Sequence, residues 1–121
     1  MPSLSNTLKA TAVIGTFVLA GWGIQYATAP AYDGYAGITY SQAYAPARDT
    51  DVDFTIWYPA TPGGRQIKAG GNGVFYGTEA GRGAPHAQGE FPMIIISHGA
   101  GGNAGQFGWI ASELAQAGYV V

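Results

Sequence analysis

Met93-Ile94-Ile95-Ile96 is an uninterrupted apolar run that ends abruptly in Ser97-His98-Gly99-Ala100-Gly101-Gly102. No polar residue alternates with the isoleucines, so a strand made from this run has two apolar faces. Such strands belong in parallel sheets covered above and below by helices. Three glycines among residues 98–102 then permit a turn with torsions that other residues resist. Beyond them Asn103, with Gln106 three residues on, has the form of a capping box and predicts a helix start. Phe107, Ile110, Leu114 and Ala117, flanked by Ala111 and Ala115, give that helix an apolar stripe, and Gly118 is placed to end it. Tyr119-Val120-Val121 opens a second apolar strand. Strand, glycine turn, helix and strand make a βαβ unit, so the sequence predicts an α/β fold.

Upstream the pattern changes. Gly37-Ile38-Thr39-Tyr40-Ser41 is a weak strand signal. Val52, Phe54, Ile56 and Tyr58 alternate with Asp53, Thr55 and Trp57, the period-two signature of a half-buried strand with the first set inward. Pro59 and Pro62-Gly63-Gly64 end it, and the two strands fit an antiparallel pair at a sheet edge. Residues 61–89, with glycine at about every third position, then read as one long loop, its middle pinned to the body by Val74-Phe75-Tyr76.

The first thirty residues read as an address. A short polar start with Lys9 precedes an uncharged apolar stretch over residues 10–24, followed by Ala27-Thr28-Ala29-Pro30-Ala31. A positive start, an apolar stretch and small residues in alternation make a secretory signal peptide over residues 1–31. Pro30 disfavours a cut after Ala29, so Tyr32 is the expected mature start and the protein is expected to be secreted or periplasmic. No stable membrane anchor is expected after cleavage; an uncleaved anchor helix is the alternative. The folded domain is then expected over residues 32–121.

Composition removes other classes. With no cysteine, the chain has neither disulfides nor thiolate metal ligands nor a cysteine nucleophile. Its five Lys and Arg are scattered and the net charge is −2, which excludes the basic stripe a nucleic acid requires. Asp49, Asp51 and Asp53 have ligand chemistry but lack the glycine and distal glutamate of a calcium loop, so a solvated face is expected. No metal or cofactor is expected. His86 is expected as an exposed loop histidine, and Ser112 and Glu113 as solvent-facing helix residues.

In a parallel α/β sheet ligands sit beyond the carboxyl ends of the strands, where residues 98–102 fall. A glycine turn there can aim backbone N–H groups at a developing negative charge, which is the content of an oxyanion hole. Phosphate binding is the rival chemistry, but G-x-G-x-x-G and G-x-x-x-x-G-K-[ST] are both absent. A tight turn that merely connects strand to helix is the third reading.

Ile94-Ile95-Ile96-Ser97-His98-Gly99-Ala100-Gly101-Gly102-Asn103, with Phe107, Trp109, Leu114, Ala115 and Gly118-Tyr119-Val120-Val121, resembles the dienelactone hydrolase-like group of the α/β-hydrolase superfamily. The motif is also similar to that of platelet-activating-factor acetylhydrolases and bacterial cutinase-like polyester hydrolases. Ile56-Trp57-Tyr58-Pro59-Ala60 and Val74-Phe75-Tyr76-Gly77 add weaker likeness, and together the resemblance spans residues 38–121. It implies the N-terminal part of an α/β-hydrolase fold, a mostly parallel central sheet with helices on both faces, truncated before the nucleophile elbow. It also implies a serine-dependent hydrolase of carboxylic esters or lactones, acting on a small-molecule or polymeric ester. The Ala100 amide would be the oxyanion donor and Gly99 would shape the turn, with His98, Gly101 and Gly102 supporting it. A Ser97–His98 catalytic pair is rejected, because adjacent residues at a strand end point to opposite sides.

The same resemblance implies a serine on a G-x-S-x-G elbow, followed by an Asp and a His. Ser3, Ser5, Ser41, Ser97 and Ser112 all lie outside such a motif, so the three catalytic residues are expected beyond Val121. The chain alone is therefore expected to be inactive, with its isoleucine run at an open sheet edge. The competing reading is a non-catalytic secreted binding module.

Overall fold

The computed structural model describes Thr16, Leu19, Ala20 and residues 29–121. Of the expected signal peptide only Thr16, Leu19, Ala20 and Ala29 to Ala31 are described, and the rest lies outside the described residues. The peptide's last two residues are tied to the fold, because Ala31 bridges Arg65 and the Pro30 carbonyl accepts from the Gln66 N–H.

Four strands form one mixed sheet: β1 (Ala36–Ala45), β2 (Thr50–Pro59), β3 (Arg65–Ala69) and β4 (Thr78–Arg82), in the order β2-β1-β4-β3. β1 and β2 pair antiparallel from Ala36 opposite Pro59 to Ala45 opposite Thr50. β3 and β4 form a second antiparallel hairpin, joined to the first by a short parallel contact of Gly37 with Gly81 and Ile38 with Arg82. One 3-10 turn (Ala104–Phe107) leads into one helix, α1 (Gly108–Gln116).

This corrects the expected α/β-hydrolase fold: the sheet is mostly antiparallel, and among residues 29–121 one short helix stands in place of helices on both faces. The physical reason is visible in residues 61–89, which fold as β3 and β4 instead of a loop. Local hairpin pairing satisfies these backbone groups with close neighbours, where a parallel sheet needs crossovers of a dozen or more residues. The isoleucine run is reduced accordingly. Met93 makes a lone parallel bridge to Val120, the Ile94 N–H donates to the Val120 carbonyl at 2.8 Å, and Met93 and Ile95 are 70% and 82% exposed. Val121 in turn exchanges both backbone hydrogen bonds with Trp57, each 2.8 Å long.

Along β2 the expected alternation fails too. Val52 and Phe54 are exposed, whereas Trp57 and Tyr58 are both buried. The end of β2 is covered on its two faces: Trp57 joins Ala36, Ile38, Ala69, Ala80, Ala111 and Ala115, and Tyr58 joins Ala60 and Ala84. Toward the β1–β2 turn the strand is largely exposed on both faces. Asp53 is exposed there and accepts from Gln42 Nε2 at 2.8 Å, while Asp49 takes φ 48° in the turn and accepts from the Tyr44 hydroxyl at 2.7 Å.

α1 is rotated from its expected stripe. Gly108, Ala111, Ser112 and Ala115 are its buried positions, and Ser112 is only 4% exposed where a solvent-facing serine was expected. Small residues face inward at a close contact: a Cβ on Gly108 would lie 3.3 Å from Thr78 Oγ1 and 3.4 Å from Trp57 Cζ2. Ser112 Oγ is satisfied by Gln116 Nε2 at 3.3 Å, so its burial leaves no orphan.

Gly37 is required by close approach. A Cβ there would sit 2.2 Å from the Tyr58 ring, which is fixed by its hydroxyl donating to the Ala84 carbonyl at 2.9 Å and by stacking on His86 at 4.2 Å. Burial raises the Tyr58 phenol above its ordinary value of 10.0. The unfolded phenol therefore loses its proton first, and stability falls as pH rises past that value. Tyr58→Phe is expected to flatten this alkaline loss, leaving the share due to Tyr32, whose phenol burial also raises, and to Tyr44, raised by its hydrogen bond to Asp49. At neutral pH the lost hydrogen bond costs about 1 kcal/mol. Urea unfolding of both proteins between neutral and strongly alkaline pH measures the difference.

Candidate functional site

The expected site residues fall together. His98, Gly99, Ala100, Gly101 and Gly102 form one turn between the Met93 bridge and the 3-10 segment, exposed at all but Gly102. The Gly102 N–H donates to the Gly99 carbonyl at 3.1 Å, closing a four-residue turn. Gly101 has φ 77°, and Ala100 is not among the residues of positive φ. A positive φ at the third position alone defines a type II turn, which explains the glycine at 101.

This geometry decides what the turn can offer. The Ala100 and Gly101 N–H groups have no acceptor among the described residues, and both positions face solvent. His98 is bound to the same turn: Nδ1 lies 3.0 Å from the Gly99 carbonyl, so its protonated tautomer donates there. That contact commits His98 Nδ1 to the backbone, and no hydrogen bond joins His98 to Ser97. No metal or cofactor is needed for such a turn to stabilise an oxyanion, because the donors are backbone amides.

Asn103 takes over where the turn ends. Its backbone is extended at φ −149° and ψ 162°, and Oδ1 accepts from the Gly105 N–H at 2.9 Å. Half of the expected capping box is thus present: Asn103 caps, while Gln106 makes only a backbone bond to the Asn103 carbonyl.

Two cavities flank this segment. A cleft of about 280 Å³ includes Ser97, His98, Phe54, Trp57, Ile96 and Phe107 in its lining. A larger one, of about 570 Å³, lies between the β3–β4 connection and Asn103, Gln106 and Trp109. Its other wall holds Phe75 and Tyr76, which are exposed at 69% and 84% and do not pin the hairpin to the body as expected. No sequence signal separated these aromatics from core residues; only the hairpin places them at its tip. His86 is exposed as expected, with its ring against Tyr58.

No family model, no curated protein and no solved structure matches the chain.

Proposed function

We propose that the protein is an exported hydrolase of carboxylic esters or lactones, in which the Ala100 amide stabilises the oxyanion of an acyl-serine mechanism. The observation that carries this reading is the exposed type II turn whose Ala100 N–H has no acceptor among the described residues. In this mechanism a serine attacks the ester carbonyl carbon, and the carbonyl oxygen takes the electron pair. A fixed N–H aimed at that oxygen is worth more in the transition state than in the ground state. His98 holds the turn through Gly99, and Gly101 permits its shape.

No G-x-S-x-G supplies a serine nucleophile in this chain, so residues 1–121 alone are expected to be inactive. The test uses the protein purified from its source. Turnover of p-nitrophenyl acetate together with covalent labelling of a serine by a fluorophosphonate is the expected result. Absence of both overturns the reading.

A non-catalytic secreted binding module is the second reading. The aromatic-walled cavity of about 570 Å³ favours it, because that cavity lies on the far side of Asn103 from the cleft at His98.

A further inference from the structure

The larger cavity has a composition that selects a ligand class. Phe75, Tyr76 and Trp109 provide aromatic surface, and Asn72, Asn103 and Gln106 provide amides; no carboxylate, ammonium, guanidinium or imidazole lines it. Its volume of about 570 Å³ is within the range of small-molecule sites, about 300–1,000 Å³.

Two of the three amides are held in place. Asn72 Oδ1 accepts from the N–H groups of Val74 and Phe75 at 2.8 and 2.9 Å, and Asn103 Oδ1 accepts from Gly105. In each, the carbonyl end is committed to shaping its own loop, and the Nδ2 group is what remains to donate to a ligand. The two walls approach closely at their base, where a Cβ on Gly70 would lie 2.6 Å from the Gly105 carbonyl oxygen. Aromatic side chains remain exposed above this base: Trp109 at 66%, Phe75 at 69% and Tyr76 at 84%.

A ligand matching this lining is neutral, has apolar faces to lie on rings, and carries acceptor oxygens at its rim. An anion finds no cation in the lining, and Lys68, which lies just outside it, has its Nζ 3.8 Å above the Tyr76 ring. An aliphatic chain gains nothing from fixed amide donors, and a bare aryl ring lacks the oxygens they need. A pyranose meets every condition: its C–H faces stack on aromatic rings and its hydroxyls accept from amides.

We propose that this cavity is a binding site for the pyranose units of a neutral glycan. The inference rests on the cavity alone and holds whichever of the two functional readings is correct.

Isothermal titration of the protein with xylohexaose and with cellohexaose tests it without any reliance on hydrolysis. Saturable binding of at least one oligosaccharide is expected, weakened about ten-fold or more by Trp109→Ala and by Phe75→Ala. Both side chains are exposed, so the variants are expected to keep the parent circular dichroism and thermal midpoint. A Tyr58→Phe control, remote from the cavity lining, is expected to bind as the parent does. Absence of binding to both oligosaccharides overturns the proposal. So does binding that neither aromatic variant weakens, or binding of an uncharged aryl probe such as benzamide with no sugar binding.

Discussion

Trp57→Ala is expected to destabilise the protein by about 3–5 kcal/mol, at the upper end of what a single core truncation costs. Trp57 is 3% exposed, and of the six other buried residues in its cluster only Ile38 is larger than alanine. The indole is thus the main apolar volume between the sheet and α1. Alanine neighbours have no long side chains with which to fill the space, so the cavity persists and its full cost is felt. The helix is affected with it, because Gly108 packs against the ring and Ala111 and Ala115 share the cluster. Domains are stable by only about 5–15 kcal/mol, so a loss of this size leaves a substantial unfolded fraction at modest denaturant. The measurement is the urea midpoint at constant m-value, with hydrogen exchange in Gly108–Gln116 as the local readout. Trp57→Phe is expected to lose less. A midpoint for Trp57→Ala equal to the parent's would show that the indole does not hold the sheet to the helix.

That Trp57 carries the core was not legible from its position in β2. Strand alternation assigned it to the solvent face because Val52, Phe54, Ile56 and Tyr58 form the more apolar set. Alternation assumes one covered face along the whole strand. Here the cover is local: both faces are covered at Trp57 and Tyr58, and neither is covered at Val52. The same limit explains α1. Its large residues, Phe107, Ile110 and Leu114, suggested the inward stripe, but a bulky ring on the sheet selects small partners, so Gly108, Ala111, Ser112 and Ala115 face it.

Signals that depend on neighbours in sequence translated better. Asn103 caps the turn into α1, Gly118 takes φ 95° after it, and residues 98–102 form the glycine turn. These features need only local torsions and local hydrogen bonds, which the residues themselves specify. The strands β3 and β4 were hidden because glycine dilutes any alternation, and their pairing follows from register between segments. The aromatic cavity depends on that hairpin and was beyond reach for the same reason. Sheet order belongs to the same class: a continuous isoleucine run reads as a doubly covered strand, yet Ile95 is exposed.

Ala100→Pro in the active protein isolates the central claim, because proline removes the one N–H in question while suiting the second position of a type II turn. The turn is already closed by Gly102 and Gly99 and shaped by Gly101, so the variant is expected to match the parent's thermal midpoint or exceed it slightly. With folding preserved, the account predicts a fall in kcat for ester hydrolysis of about 10²–10³ and little change in KM. That pattern marks an interaction made chiefly in the transition state. A folded Ala100→Pro enzyme with the parent's kcat would contradict the assignment of the Ala100 amide as the oxyanion donor.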